Sequence, residues 1–254
     1  MNILILGGRG ESTNAVVNAL ADRYDELSLI LEDGVPMGTF LRKRMKRLGV
    51  VAVMGQVAFM AVIPPYLRKK SKKRIENIKQ MYALNVDDHY QSHVKSYSVN
   101  SVNDAVTINI IQRCRPDIVV VNGTRIISRQ VLEAVQVPII NMHMGITPKY
   151  RGVHGGYWAL VSGDAEHCGV TVHMVNAGID TGGIIRQKQI VVEKEDNFFT
   201  YPYIQAGEGI RLELEILESF EKSGRIETKD VDLPSMIWSH PTLWQYLKNR
   251  RMSR

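Results

Sequence analysis

The chain has 254 residues, of which 44% are hydrophobic and 23% are charged, as in an ordinary soluble globular protein. This length suits one α/β domain with an extension, and it is enough to bury a sizeable core. The two cysteines, Cys114 and Cys168, make no disulfide framework and favour a reduced, cytoplasmic compartment. Met1 leads directly into an apolar strand pattern, so we expect no signal peptide.

The net charge of +6 is concentrated in one part of the chain. Five Lys and Arg residues fall within 42–47 and six within 68–74, and no acidic residue lies between positions 35 and 75. The rest of the chain is net acidic. A negatively charged partner is therefore expected to bind at this segment.

The first half of the chain alternates strand and helix patterns. Residues 3–6 form an apolar run that ends in a Gly-rich turn, and Ser12 is predicted to cap the helix that follows. Residues 27–31 predict a second strand and 101–114 a helix. The continuous apolar run at 117–121 is typical of a buried strand in a parallel sheet.

The second half continues this alternation. Its predicted elements are a helix at 128–134, a strand at 137–141, a helix at 155–160, two strands suited to antiparallel edges at 169–175 and 184–192, and a helix at 203–222 before a tail. The order predicts an α/β fold with a doubly wound, mostly parallel sheet.

An uncharged, mostly apolar stretch, 48–67, lies between the two basic clusters. Its length alone suits a transmembrane helix, but it contains two prolines and would place the halves of one sheet on opposite sides of a membrane. We favour a structural helix packed on the sheet over an interfacial helix held near anionic lipid. The structural interpretation predicts that four valines are largely buried: Val51, Val53, Val57 and Val62.

An amide, an imidazole and a carboxylate stand in the most strongly patterned part of the sequence. Asn141 and His143 are two residues apart at a predicted strand end, so their side chains point to the same side. Asp180 follows in a Gly-bounded turn before another apolar run. Because α/β enzymes place their chemistry at strand ends and loops, these three are the candidate catalytic residues.

The two motifs around these residues resemble the folate-dependent formyltransferase family. Residues 141–152 contain Asn-x-His with a following Pro and an Arg-Gly loop, and 169–182 contain Gly-Val-Thr-Val-His and then Asp-Thr-Gly. The resemblance implies a Rossmann-like catalytic domain over 1–192, with 42–74 as an insertion. Residues 193–254 would then be a helical C-terminal extension.

The resemblance also implies an activity, the transfer of a formyl group from 10-formyltetrahydrofolate to an amine. Asn141 and His143 would stabilise the formyl oxygen of a tetrahedral intermediate, and Asp180 would accept a proton and raise the basicity of the imidazole. Taken singly, each residue has an ordinary interpretation, as a strand cap, a core histidine and a turn residue. Taken together with the motif, they favour catalysis.

By the same resemblance, two loops would form the walls of a pterin pocket, one after the strand 117–121 and one before Asp180. The residues implied are Gly123, Thr124, Arg125, Ile126, Ile127, Asn176 and Gly178. We expect no metal, because the histidines and cysteines lack metal-ligand spacing.

Two further segments are predicted to bind the acceptor. The turn after the first strand leads to a helix N-terminus, whose backbone N–H groups suit a phosphate, and it loosely resembles the turn of glycinamide ribonucleotide formyltransferase. The loop after the Asn-x-His motif would shape the opposite side. The residues implied are Gly8, Gly10, Ser12, Thr13, Tyr150, Arg151 and His154.

Four interpretations of the whole protein remain, two inside the formyltransferase class and two outside it. We favour transfer to the primary amine of a nucleotide-linked amino sugar, because the 150–154 loop and the aromatic tail suit sugar-modifying members. Phosphoribosylglycinamide is the alternative acceptor. Formylation of methionyl-tRNA is disfavoured, since about 50 residues after the domain are too few for a C-terminal barrel. Outside the class stand a membrane-associated binding module and a nicotinamide-dependent oxidoreductase, which Glu32 at the second strand end would support.

The expected partners follow from that choice. We expect a small, phosphate-bearing amine and no nucleic acid, with the oligomeric state left open. The protein is expected in the cytoplasm, with peripheral contact at the inner membrane surface through 42–74 if the interfacial interpretation holds. The aromatic tail is expected to pack back on the domain, or alternatively to stack on a base.

Overall fold

Runs of apolar residues form the strands at the centre of the sheet in the computed structural model, which describes residues 1–250. The strands are β1 (Ile3–Gly8), β2 (Leu27–Glu32), β3 (Lys95–Val99), β4 (Ile118–Asn122), β5 (Ile139–His143), β6 (Arg151–Gly152), β7 (Gly169–Met174), β8 (Ile184–Gln189) and β9 (Ile237–Trp238). β2 and β4 are buried along their whole length, which explains why their sequences carry no alternation.

Seven of these strands form one sheet in the order β3-β2-β1-β4-β5-β7-β8. The first five are parallel, and β7 and β8 are antiparallel. β6 and β9 pair separately. The predicted fold class, a doubly wound and mostly parallel sheet, is confirmed. The strand order reverses between β1 and β4, which is where open α/β sheets bind ligands.

Nine helices lie among residues 1–250 and surround the sheet. They are α1 (Glu11–Ala21), α2 (Met37–Leu48), α3 (Val50–Lys70), α4 (Lys72–Met81), α5 (Ala105–Cys114), α6 (Arg129–Ala134), α7 (Gly155–Val161), α8 (Tyr201–Ser223) and α9 (Leu243–Asn249). Ser12 does not cap α1, because the helix begins one residue earlier, at Glu11, and the Ser12 hydroxyl donates to Asn122. The predicted helix at 101–114 begins only at Ala105.

α8 completes the main core although it follows residue 192. Four of its apolar residues are buried in the same cluster as β1, β4, β5 and β7: Ile210, Leu212, Ile216 and Leu217. Gly209 lies so close to the Met142 side chain that a Cβ there would collide with the sulfur. α8 therefore covers the sheet face directly behind the strand that carries Asn141 and His143.

The C-terminal tail packs back on the domain, as expected. Trp238 stacks on Trp158 with ring centroids 4.8 Å apart and also on Tyr150. Thr242 and Gln245 form a capping box that starts α9. Tyr246 of α9 contacts Phe59 of α3, with ring centroids 5.2 Å apart.

α3 is a helix, but the prediction of its burial is wrong at three of four positions. Val53 is buried, whereas Val51, Val57 and Val62 are about half to three-quarters exposed. α3 packs against α9 and the tail rather than against the sheet, with Gly55 directly under the Trp244 ring. By length and composition alone, α3 is also long and apolar enough to cross a membrane.

Glu213 of α8 gives a test of this core. Its side chain is buried, and neither carboxylate oxygen has a hydrogen-bond partner among residues 1–250. Burial raises the pKa of Glu213 from an ordinary 4.5 to about 8. Between these values the unfolded chain binds fewer protons at this position than the folded protein, so stability falls as pH rises through the window.

We expect Glu213→Gln to remove this loss. The free energy of unfolding of the variant, measured by urea denaturation, should exceed that of the wild type increasingly from pH 5 to pH 8, by about 1.4 kcal/mol per pKa unit of displacement. Glu218→Gln, at an exposed position of the same helix, is the control. If the free energies of unfolding of the wild type and of Glu213→Gln differed by the same amount at every pH, the raised pKa of a buried, unpaired carboxyl would be contradicted.

Candidate active site

β5 positions the first two candidate residues. Asn141 and His143 lie within the strand and not after it, two residues apart, so both side chains leave the same face of the sheet. Met142 between them points to the other face, under α8. In the pairing with β7, Asn141 lies opposite His173 and His143 opposite Thr171.

The His143 imidazole has a close neighbour at each nitrogen. Its Nε2 lies 2.7 Å from the backbone carbonyl oxygen of Tyr150, and its Nδ1 lies 3.4 Å from Oδ2 of Asp180. Because a carbonyl only accepts, the short contact places the proton of the neutral ring on Nε2. Gly145 allows this arrangement, since a Cβ there would lie 2.7 Å from Nε2.

The turn before β8 brings Asp180 over the same face. Asp180 has a positive φ of 51°, which turns the chain back toward β5. Its Oδ2 accepts a hydrogen bond of 2.9 Å from the backbone N–H of Gly152, and Arg151 donates to the carbonyl of Ile179. The Arg-Gly pair of the motif therefore clamps the turn that carries the carboxylate.

His173 joins the site and is missing from the sequence-based list of catalytic candidates. Its Nδ1 donates to the Met174 carbonyl at 2.7 Å, so its Nε2 accepts from the Asn141 amide at 3.1 Å. The same Nε2 lies 3.7 Å from Oδ1 of Asp180. The alternation of residues along β7 could have identified it, because this alternation places Thr171 and His173 on the same face of the sheet as Asn141.

Burial and charge set the protonation states. Burial lowers the pKa of His143, although the Asp180 charge and the Tyr150 carbonyl oppose that shift. Burial would raise the pKa of Asp180, but the neighbouring His173 and His143 and the hydrogen bond from the Gly152 N–H outweigh it and lower the pKa to about 2. At neutral pH the site thus holds a neutral imidazole beside an ionised carboxylate.

This arrangement can accept a proton and stabilise a developing oxyanion. The unprotonated Nδ1 of His143 faces a carboxylate that would stabilise the resulting imidazolium. A primary amide has two N–H bonds, and the contact with His173 uses one of the two on Asn141. A second donor therefore remains for an oxygen placed at this face, as acyl transfer requires.

Comparison with known proteins agrees with this chemistry. Residues 38–202, more than half of the chain, match the family model described as formyl transferase. The chain belongs to the formyl transferase family. The matched range includes all three candidate catalytic residues and the segment 42–74.

Curated members of the formyl transferase family align with part of the chain. A methionyl-tRNA formyltransferase of Methylacidiphilum infernorum is 34% identical over 128 residues, 50% of this chain and 40% of that protein. The methionyl-tRNA formyltransferase of Thermodesulfovibrio yellowstonii is 36% identical over 104 residues, 41% of this chain and 33% of that protein. The chain thus spans less than half the length of these relatives.

Solved formyltransferases share the fold. The phosphoribosylglycinamide formyltransferase of Coxiella burnetii superposes with a TM-score of 0.58 at 18% identity, covering 91% of this chain and 90% of that one. A sugar N-formyltransferase from a Shewanella species superposes with a TM-score of 0.53 at 16% identity, covering 93% of this chain and 76% of that one. At these identities the likeness establishes the architecture alone.

The predicted pterin walls leave the sheet on either side of β5, one after β4 and one after β7. Within the first wall the side chains differ in their surroundings. Ile126 is exposed, Ile127 is buried in the core, and the Thr124 hydroxyl donates to the Arg125 carbonyl. Gly123 has a positive φ of 67° and its carbonyl touches Gly8.

The Arg125 side chain is bound at the end of β2. Its guanidinium donates to Glu32 at 2.6 Å and to two backbone carbonyls, those of Asp33 and Asn100. Glu32 also accepts from the backbone N–H of Val102. This carboxylate is therefore engaged by the protein, which removes the feature that had supported a nicotinamide nucleotide.

In the second wall, Asn176 and Gly178 close an exposed turn. The Asn176 side chain accepts from the Gly178 N–H at 3.0 Å and from the Thr181 hydroxyl at 2.8 Å. The Asn176 side chain thus fixes the turn before Asp180 and holds the backbone of Gly178 in place. A ligand would therefore contact this loop mainly at the backbone groups of the protein.

The turn after β1 reaches the point where the strand order reverses. Ser12 and Thr13 donate to Asn122 at the end of β4, at 3.1 and 3.2 Å, so both hydroxyls join the start of α1 to β4. Gly10, with a φ of 152°, precedes α1. Glu11 in the first turn of α1 places a carboxylate where a phosphate was predicted, and it is paired with Lys79 at 3.3 Å.

The three predicted residues of the second acceptor segment have different surroundings. Tyr150 is buried, and its hydroxyl donates to Asp164 at 2.7 Å, so its side chain packs in the core while its carbonyl binds His143. Arg151 braces the Asp180 turn. His154 has a positive φ of 61° and hydrogen bonds to His240 of the tail at 2.8 Å.

A cavity of about 270 Å³ lies beside these groups and is lined almost entirely by apolar side chains. Its lining includes Ser12, Met60, Pro64, Met144, His154 and Phe198. Burial lowers the pKa of His154 to about 3, with the neighbouring His240 and Arg44 adding to the shift. The histidine that faces the cavity is therefore neutral at physiological pH.

Asp164, Glu166 and His167 are the possible metal-ligand group found among residues 1–250. Asp164 is already engaged by Lys149, with 2.6 Å between Nζ and Oδ2, and by the Tyr150 hydroxyl. This surface group has the pattern of an ordinary ion-pair cluster.

Proposed function

We propose that the protein transfers a formyl group from 10-formyltetrahydrofolate to a primary amine. The observation that carries the proposal is the convergence of Asn141, His143 and Asp180 on one face of the sheet, with an ionised carboxylate next to a neutral imidazole. Membership of the formyl transferase family supports the same reaction.

The residues divide the work of the reaction between them. The amine nitrogen bonds to the formyl carbon, and the second N–H of Asn141 stabilises the oxyanion that forms. The amine proton passes to Nδ1 of His143, directly or through water, and Asp180 stabilises the imidazolium. The bond between the formyl carbon and the folate nitrogen then breaks, and the imidazolium returns its proton to the departing tetrahydrofolate.

This scheme changes one predicted role. In the structure the Nε2–H of His143 is directed at the Tyr150 carbonyl, so it is not aimed at a formyl oxygen. Asn141 is left as the donor for that oxygen, and His143 acts in proton transfer together with Asp180. His173 orients the Asn141 amide from the neighbouring strand.

For the acceptor we propose the amine of a nucleotide-linked amino sugar. The aromatic tail, whose His240 contacts His154, supports this choice. Phosphoribosylglycinamide is the alternative acceptor, since the charge of Glu11 at the start of α1, where a phosphate would sit, is balanced by Lys79 and Arg68. The names of the curated relatives keep methionyl-tRNA as a second candidate.

Alanine variants test the catalytic assignment. Asn141→Ala, His143→Ala and Asp180→Ala should each lower turnover by about a hundredfold or more, the usual scale for an oxyanion donor or an acid–base group. Binding of reduced folate, measured as a rise in melting temperature, should be largely retained, and NAD should give no rise.

His89→Ala is the matched control, because His89 is almost fully exposed on a surface turn and should leave turnover unchanged. Near-normal turnover in His143→Ala would contradict the proposed mechanism. Stabilisation by NAD but not by folate would contradict the proposed donor.

A panel of amines tests the acceptor. The protein is incubated with 10-formyltetrahydrofolate and with a nucleotide-linked amino sugar, phosphoribosylglycinamide or methionyl-tRNA, and the products are weighed by mass spectrometry. We expect one formyl group to be gained by the amino sugar and none in the His143→Ala reaction. If only phosphoribosylglycinamide or only methionyl-tRNA gained the formyl group, the proposed acceptor would be wrong, while the proposed formyl transfer would still hold.

A further inference from the structure

The outer side of α3 is an exposed apolar stripe. Apolar residues recur along α3 at the spacing of one helix face. Among them, Val51 is 73% exposed and Met54 is 65% exposed. The members of the stripe are Val50, Val51, Met54, Val57, Ala61 and Val62. No charged residue occurs from 48 to 67. Contiguous exposed apolar surface of this kind marks an interaction site in soluble proteins.

α2 continues this apolar surface. Arg44 of α2 donates to Gln56 of α3 at 2.7 Å, which holds the two helices together. No residue of α2 is buried, and Met37 and Phe40 on it are also exposed. We call the exposed apolar side chains of α2 and α3 the docking face.

Basic side chains flank the docking face at both ends. Nine of them are exposed in the structure: Arg42, Lys43, Lys46, Arg47, Arg68, Lys69, Lys70, Lys72 and Lys73. Within residues 1–250, Arg68 is the one of these that pairs with an acidic residue, Glu11. The nearest acidic residues in the sequence lie outside 35–75. An apolar centre with cationic flanks is complementary to a bilayer that has acyl chains beneath anionic headgroups.

The inner side of α3 is fixed to the protein. Phe59 is fully buried, and its ring lies 4.9 Å from that of Phe198. Gln56 is buried and donates to the His240 carbonyl at 2.7 Å. A helix that crossed a bilayer would lose these contacts, so α3 presents its outer face while remaining on the domain.

α3 also lines the apolar cavity next to the predicted acceptor segments. Met60 and Pro64 line the apolar cavity that Met144 and His154 share. A chain of hydrogen bonds leads from Arg44 through Gln56 and His240 to His154. The docking face and the cavity therefore lie on two sides of one helix, about 10 Å apart by the diameter of a helix.

We propose that the docking face binds the surface of an anionic lipid bilayer, with the apolar stripe at the level of the acyl chains and the basic side chains on the headgroups. A nucleic acid would use the charges but would leave the aliphatic stripe in water. Lipid matches both features. Docking in this way places the apolar cavity beside the membrane surface.

Vesicle co-sedimentation of the full chain tests the proposal. We expect the protein to pellet with vesicles that contain phosphatidylglycerol and not with pure phosphatidylcholine vesicles, and we expect binding to weaken as salt is raised. Replacing Lys69, Lys70, Lys72 and Lys73 with Gln should lower the partition constant by about a hundredfold or more, since each basic residue near such a surface contributes to binding.

The apolar stripe is tested separately. Val51→Ser, Met54→Gln and Val57→Ser combined should also abolish pelleting at moderate salt. Two matched controls should bind like the wild type. One neutralises four exposed basic residues elsewhere, Lys95, Arg113, Lys188 and Arg225, and the other makes Met81→Gln, Val106→Ser and Val191→Ser. Circular dichroism confirms that each variant is folded.

Three results would overturn the proposal. One is no association with anionic vesicles at low salt. Another is full binding by the apolar-stripe variant, which would reduce the interaction to non-specific charge. The third is displacement of the protein from vesicles by RNA at equal charge concentration, with the apolar-stripe variant binding RNA normally, which would identify a nucleic-acid surface. None of these results depends on the proposed formyl transfer.

Discussion

The arrangement of the site depends on the His143 imidazole, which is held between the Tyr150 carbonyl and the Asp180 carboxylate. The short contact to the carbonyl determines which nitrogen carries the proton, and the carboxylate faces the other nitrogen. Gly145 lets the chain turn back tightly enough for the carbonyl to reach the ring. Burial keeps the ring neutral, so that the nitrogen facing Asp180 is free to accept a proton.

Parts of the chain far from β5 hold this geometry in place. β6 follows Tyr150 and pairs with β9 of the tail, and the Gly152 N–H of β6 binds Asp180. Gly152 has a φ of 91°, and a Cβ there would collide with the Trp238 carbonyl. The tail therefore supports the loop that orients the candidate catalytic carboxylate, and glycine is needed after Arg151 because of this close approach.

Much of this structure could be predicted from local patterns. The apolar runs of β1 and β4 have no polar alternation, and that property alone identifies buried parallel strands. β3, α2 and α4 were missed for a physical reason. β3 is an exposed edge strand, with four of its five residues accessible, so it carries no buried apolar run. α2 and α4 each contain five charged residues, which obscured their helical pattern.

Long-range partners explain what the local sequence patterns could not show. Arg125 lies in the predicted pterin loop, but its partner Glu32 is 93 residues away and could not be inferred from the motif. His173 is an isolated histidine in sequence and becomes part of the site only through strand pairing with Asn141. α3 is apolar on all sides, so periodicity could not show which face would find the tail and which would stay exposed.

The tautomer of His143 is the most direct test of this account, and ¹⁵N-edited NMR of the imidazole nitrogens measures it. The structure predicts a neutral ring at pH 7 with the proton on Nε2 and none on Nδ1. A ring protonated on Nδ1, or a doubly protonated ring at neutral pH, would contradict the arrangement on which the proposed proton transfer rests.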